Sequence, residues 1–416
     1  MSKYVLIIVK KIRENGLLWV IKRSFHHFND ILCPLTFIHK AQAIRAAKYA
    51  SGQPRKAEYV VFVCDRLHLR AIKIAYALKE VGWKVILLHK ENLSFDVSKY
   101  FFETRQFKNH WDALLIASNY YPIIYHVFSC WNFKVASIFI RYKPGKIVFD
   151  NNDVLKGMVK ENILKRYPGQ VELEKYCYVN ADSLCCRDLR VQYLKKELKY
   201  KLPPRLLFPE YCWSEGKFIK SPKLTDGIHV VYVGGLEINP ESPTAFQYEL
   251  AVLLSKNNIH LHIYPAYKYT ISELQINMNR FVKSNVHKSY IHIHDTISPL
   301  DLVQEISQYH YGLIVSTKNI DFGSEHDTYF QHCSDYFSAA KIFDYLDAGL
   351  FTFIQNARFL SFILVRYGNG KVVNSFEDIA QYCKYGLPSN IRIPKLLLLE
   401  SNINRLITFY LNTCGT

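Results

Sequence analysis

The segment Ala339-Ala-Lys-Ile-Phe-Asp-Tyr-Leu-Asp-Ala-Gly349 places Lys341, Asp344 and Ala348 at spacings of three and four, on one face of a helix. A cation and a carboxylate near a helix start, just beyond a strand, suit a nucleotide diphosphate. The helix end and Lys341 attract phosphates, and Asp344 accepts hydrogen bonds from ribose hydroxyls. Composition alone favours a surface i,i+3 ion pair. Asp65 and Arg66 follow the first apolar strand, where a βα loop faces a cleft. They suit an acceptor hydroxyl or an anionic lipid phosphate, or they cap the next helix. His292 and His294 alternate on a strand beside Asp295 and could ligate a metal from one face. Spacing places no third ligand, so a strand-end polar pair is the expectation and no metal site is assigned. The ten cysteines include no C-x-x-C pair, which disfavours a zinc site or a disulfide framework. Neither G-x-x-x-x-G-K-[ST] nor G-x-G-x-x-G occurs, so P-loop and dinucleotide readings lack their fingerprints.

These groups need strands and helices to hold them, and the chain alternates between the two. With 416 residues, 49% of them hydrophobic, two domains are expected. Tyr59–Cys64 reads as a buried parallel strand, followed by a helix carrying Ala71, Ile74, Ala75 and Leu78, then a strand at Lys84–Leu88. Further strands are expected at Ala113–Ala117, Ile123–His126, Ile147–Phe149 and Ala181–Cys185. Prolines and Gly216 interrupt the pattern between Pro203 and Gly227, as an interdomain linker would. A second series then begins with His229–Val233 and Gly234-Gly235. It continues through strands at His260–Tyr264, Tyr290–His294, Tyr311–Ser316 and Phe351–Ile354, with a helix over Ser338–Ala348. The layout predicts two tandem, doubly wound, Rossmann-like α/β domains facing a cleft. Their expected bounds are 57–215 and 228–390, joined by a linker over 216–227.

The formal charge of +17 is uneven: residues 1–56 hold eleven Lys or Arg and two acids, an excess of nine. Trp19, Phe25 and Phe28 are interleaved among these cations. A basic amphipathic helix of this kind suits an anionic membrane surface, or packs its apolar side on the rest of the protein. No base-reading module accompanies it, so nucleic acid is not an expected partner. No apolar run reaches the length of a membrane span, and Val5–Val9 is too short for a signal peptide. The expected location is cytoplasmic, peripheral on the inner face of the membrane.

The segment from Ala339 resembles the K-x-x-E-Y-x-x-x-G signature of family 4 type GT-B glycosyltransferases. Val231–Leu236 resembles the strand and glycine turn that open their nucleotide-binding domain. Ile147–Asp153, Glu172–Asp182 and His292–Ser316 match in order, over residues 58 to 375. The resemblance implies a GT-B fold in which 57–215 holds an acceptor and 228–390 a nucleotide sugar, with helix 391–416 crossing back to the first domain. It implies Asp344 on the ribose, with Lys341 and the amides of Gly234 and Gly235 at the diphosphate. Asp344 stands where Glu is usual, and Tyr336 where a first acid is common. Glu237, Asn239 and Glu241 follow the glycines in place of phosphate-binding cations, and Lys318 is a substitute. Glu325 is placed near the transferred sugar, or is a solvated loop acid. Asp153 is placed at the acceptor, or caps a turn. The implied activity is sugar transfer from a nucleotide-diphosphate sugar to a glycan or lipid-linked glycan in surface polysaccharide synthesis. The implied chemistry is retaining and needs no metal or other cofactor. A nucleotide-sugar epimerase or a silent scaffold of the same fold are the alternatives.

Overall fold

Apolar runs long enough to be buried on both faces form the centre of each sheet. A computed structural model describes residues 34–93, 96–155, 169–213, 218–235, 246–266, 288–315, 336, 340–355, 361, 364–386 and 391–415. The first sheet contains β1 (Lys56–Cys64), β2 (Lys84–His89), β3 (Glu103–Gln106), β4 (Pro122–Ser129), β5 (Ile147–Asn151), β6 (Ser183–Cys186) and β7 (Arg205–Leu207). Their order is β3-β2-β1-β4-β5-β6-β7, and every pairing is parallel. Parallel strands need crossovers, and helices α1 (Pro34–Ser51), α2 (Leu69–Glu80), α3 (His110–Ala117), α4 (Lys134–Tyr142), α5 (Gln170–Asn180) and α6 (Arg190–Lys196) cover the sheet. Side chains alternate between the faces: Val61 and Val63 meet α3 and α4, while Val60 and Phe62 meet α2.

Ala113–Ala117 is helix, not strand. The Asn109 side chain accepts the amides of Trp111 and Asp112 and so starts α3. The helix packs against α1, α4 and the sheet, which leaves apolar residues all round and hides the 3.6-residue period. The basic segment also divides. Its residues 34–51 form α1, whose Ala43, Ala47 and Ala50 are fully buried in the first core. Residues 1–33 lie outside the described residues.

The second sheet contains β8 (Ile228–Gly234), β9 (Ile259–Pro265), β10 (Ile291–Ile293), β11 (Tyr311–Ile314), β12 (Phe351–Ile354) and β13 (Gly370–Val372). Its order is β10-β9-β8-β11-β12-β13, again all parallel. Helices α7 (Phe246–Lys256) and α10 (Phe376–Lys384) cover one face, and α8 (Leu302–Ile306) and α9 (Lys341–Asp347) the other. Strand order reverses beside β1 in one sheet and beside β8 in the other. In open α/β sheets ligands bind beyond the carboxyl ends of the strands at such points.

Two stretches of chain run side by side where the domains join. Cys212 donates its amide to the Leu397 carbonyl at 2.9 Å, and Leu399 donates back to the Cys212 carbonyl at 3.0 Å. Helix α11 (Ile403–Cys414) then lies on the first sheet, burying Ile403, Leu406 and Tyr410 beside Phe62 and Phe128. Among the described residues, no helix is long and apolar enough to cross a membrane.

Candidate functional site

At the carboxyl end of β8 stand Gly234, the last residue of the strand, and Gly235. Helix α9 sets Lys341 against this strand end: Nζ donates to the Val233 carbonyl at 2.8 Å and lies 4.3 Å from the centre of the Tyr232 ring. A Cβ on Gly234 would stand 2.8 Å from the Tyr232 hydroxyl and 3.1 Å from Lys341 Nζ, so only glycine permits this approach. Tyr345, on the same helix, donates its hydroxyl proton to the Leu313 carbonyl (3.1 Å) and accepts the Val233 amide (3.0 Å). The phenol therefore ties α9 to both strands of the switch point. Burial lowers the Lys341 pKa to about 8, so the ammonium keeps its proton at neutral pH and an arriving anion would stabilise that charge against the burial.

The first sheet gathers polar groups on the loops after β1, β4, β5 and β6. Asp153 Oδ2 accepts the Trp131 indole N–H at 3.1 Å, and Oδ1 accepts Arg187 Nη2 at 3.4 Å. Arg187 also donates to Asn152 Oδ1 at 2.6 Å. Asp188 and Arg190 brace this cluster through bonds of 2.7 and 2.8 Å, and Arg190 reaches the Asn151 and Asn152 carbonyls. Asp65 accepts the Asn132 side-chain amide and lies 3.7 Å from Lys90. Arg66 is exposed, 3.8 Å from Glu91. His68, at the start of α2, lies within the fields of Asp153 and Arg187. Burial lowers its pKa to about 4, which leaves it neutral, and its buried Nε2 has no hydrogen-bond partner among the described residues. A neutral imidazole nitrogen can accept a hydrogen bond, but a pKa near 4 makes it a weak proton acceptor.

Between these ends stands Lys73 of α2. It lies 3.3 Å from Asp344 and 3.6 Å from Asp347, both on α9, and donates to the Tyr211 carbonyl. Asp347 accepts the Trp213 amide through both oxygens, at 3.1 and 3.2 Å. Burial, with Asp344 adding to it, raises the Asp347 pKa to about 7, against the opposing pull of Lys73. Burial works against the charge on Lys73, yet the two carboxylates raise its pKa.

The structure thus brings Gly234, Gly235 and Lys341 together, and directs Asp344 to Lys73 at the domain junction. Asp153 joins Arg187, while Asp65 and Arg66 occupy neighbouring loop positions. Lys318 and Glu325 lie outside the described residues. Tyr336 packs its ring 5.7 Å from that of Tyr193 on α6. Sequence reasoning missed His68, Lys73 and Arg187. His68 had a signal, being three residues past Asp65 on the same loop. Lys73 had none, because its carboxylate partners lie some 270 residues further along the chain.

No protein-family profile matches the chain, and no curated protein does. Among solved structures it is similar to sucrose-phosphate synthase from Thermosynechococcus elongatus, with a TM-score of 0.55 and 12% identity over 79% of this chain and 89% of that one. It is also similar to an O-GlcNAc transferase variant from Thermobaculum terrenum, with a TM-score of 0.50 and 11% identity over 98% of this chain and 78% of that one. A third likeness is to the Anabaena protein HepE in complex with UDP-glucose, with a TM-score of 0.51 and 9% identity over 79% of this chain and 89% of that one. Identities this low speak for fold. Two doubly wound parallel sheets, and this likeness to GT-B glycosyltransferases over most of the chain, show that the chain has the GT-B fold.

Proposed function

We propose that the protein is a glycosyltransferase using a nucleotide-diphosphate sugar as donor. The observation that carries the proposal is the seating of Lys341 on the glycine end of β8, at the switch point of the second sheet. A diphosphate placed there meets the ammonium group and can approach the glycine backbone closely, and the cation offsets the charge released as the sugar's C1–O bond breaks. No metal is required for that stabilisation. The acceptor, a glycan or lipid-linked glycan, belongs at the loops of the first sheet. Asp153 and Arg187, on the loops after β5 and β6, would shape its surroundings. The K-x-x-D-Y-x-x-x-G segment and its resemblance to family 4 support retention of anomeric configuration and a place in surface polysaccharide synthesis.

Residues 1–56 are proposed to hold the enzyme on an anionic membrane, on the evidence of their charge. Because α1 belongs to the first core, deletion of residues 1–33 tests this without removing buried alanines. Sedimentation with anionic liposomes should fall sharply in the deleted protein, and unchanged binding would contradict the proposal.

The activity is tested by incubating the full chain with a panel of nucleotide sugars and lipid-linked acceptors, followed by product analysis. Sugar on the acceptor with its configuration retained supports the whole reading. Isomerised sugar without acceptor would indicate an epimerase. Binding of no nucleotide sugar would overturn the proposal and favour a silent scaffold.

A further inference from the structure

One face of the second sheet is threaded by imidazoles. His229 on β8, His260 and His262 on β9 and His292 on β10 point the same way, because same-face positions alternate and the strands pair in register. His229 is opposite His260, and the rings stack with centres 4.4 Å apart. Their inner nitrogens are already held. His229 Nδ1 lies 2.9 Å from His262 Nε2, and His260 Nδ1 lies 3.0 Å from His292 Nε2. Their outer nitrogens converge on the turn before β8, where Asp226 Oδ1 lies 2.9 Å from His229 Nε2. Gly227 shapes this turn. Its φ of +148° is rare for other residues, and a Cβ there would stand 3.4 Å from His260 Nε2.

We propose that Asp226, His229 and His260 bind one divalent transition-metal cation of the zinc class per chain. The three ligand atoms lie within 4.8 Å of one another. A tetrahedral ion with bonds of about 2.0–2.1 Å needs them roughly 3.4 Å apart, so binding draws in the turn and splays the two rings. Two imidazoles and a carboxylate suit a borderline cation better than calcium or magnesium. His262 and His292 supply the outer hydrogen bonds that fix the orientation of metal-bearing imidazoles. The Asp226 side chain is 72% exposed, so the ion has a path from solvent and a fourth position open to water. The other converging ligand set among the described residues, His126, Asp150 and Cys185, already holds a cation in Arg70. Gly234 lies five residues beyond His229 along β8, roughly 17 Å of strand. The ion would therefore not act at the donor site. It would pin the end of the interdomain segment to the second sheet.

The test is calorimetric titration of the full, chelator-stripped chain, bearing no polyhistidine tag, with Zn2+. One saturable site is expected, accompanied by a rise in melting temperature. Asp226→Asn and His260→Gln should each weaken binding at least tenfold, and His292→Gln roughly 10- to 100-fold through the outer hydrogen bond. Circular dichroism without metal confirms that each variant is folded, and exposed Asp226 gives a variant with little packing to lose. Wild-type protein loaded with Co2+ should show the intense visible bands of a tetrahedral site. Absence of a saturable site, or binding undiminished in Asp226→Asn and His260→Gln, would overturn the proposal. A loss in Asp295→Asn as large as that in Asp226→Asn would also overturn it, by placing the ion at the other end of the histidine row.

Discussion

Each sheet buries a row of polar groups, but of different kinds. Behind the first sheet Arg70 donates to Asp150 at 2.9 Å and to the Phe208 carbonyl at 2.8 Å, and the Tyr410 hydroxyl meets His126 Nδ1 at 2.6 Å. Charge is buried there, but it is paired and hydrogen-bonded. Along β8, β9 and β10 the second sheet buries imidazoles that bond to one another, with no interior cation or carboxylate matching Arg70 and Asp150 among the described residues. Burial and the neighbouring imidazoles lower the pKa of His262 to about 2, and burial with His229 lowers that of His310 to about 4. An ion pair fixes an arrangement by charge, whereas a histidine row does so only while every ring stays neutral. The first domain should therefore be hurt most by mutation, and the second by acid.

Asp150→Ala should have the largest effect, because it leaves the buried Arg70 cation without its carboxylate. The loss should be about 3–5 kcal/mol in the first domain's urea transition. A loss below about 1 kcal/mol would break the contrast. Acid should act on the first domain through His68, and more strongly on the second, which holds both His262 and His310. His262 and His310 titrate near 6.5 when unfolded and lower when folded, so stability is complete above pH 6.5 and declines as pH falls below it. At pH 5.5 each should cost about 1.4 kcal/mol. Hydrogen exchange should show β8–β10 losing protection before β4–β6.

The junction should respond with the opposite sign. Asp347 has its folded pKa raised to about 7, so its contribution is present at low pH and is lost as pH rises towards 7. Lys73→Met should therefore cost about 1–2 kcal/mol at pH 6, where Asp347 carries a proton, and more at pH 8, where the native lysine faces an ionised carboxylate. Denaturation midpoints at the two pH values measure this. A cost that shrinks at pH 8 would contradict the assignment.

Both parallel sheets were legible from Tyr59–Cys64, His229–Val233 and their kin, because strands buried on both faces write themselves as apolar runs. Edge strands did not: Glu103–Gln106 is polar and mostly exposed, and pairs through backbone that any sequence offers. Ala113–Ala117 was apolar all round, and only Asn109 marked it as helix. Asn109→Ala should cost about 1 kcal/mol, the smallest of these effects, read as a lowered thermal midpoint. Lys341 and the glycines could be found because a motif and a turn sit in local sequence. Arg70 and Lys73 could not, since their partners lie 80 and 271 residues away. Of the histidine row only His292 and His294 stood out, because the rest depends on register with strands 32 to 33 residues away.

The claim of a donor site at Lys341 is tested most directly by thermal protection with a panel of nucleotide-diphosphate sugars. One or more should raise the melting temperature of the wild-type chain. Lys341→Ala should weaken that binding roughly 10- to 100-fold, and wild-type affinity should decline as pH rises through about 8, where Lys341 loses its proton. Protection equally strong in Lys341→Ala and unaffected above pH 8 would contradict the account.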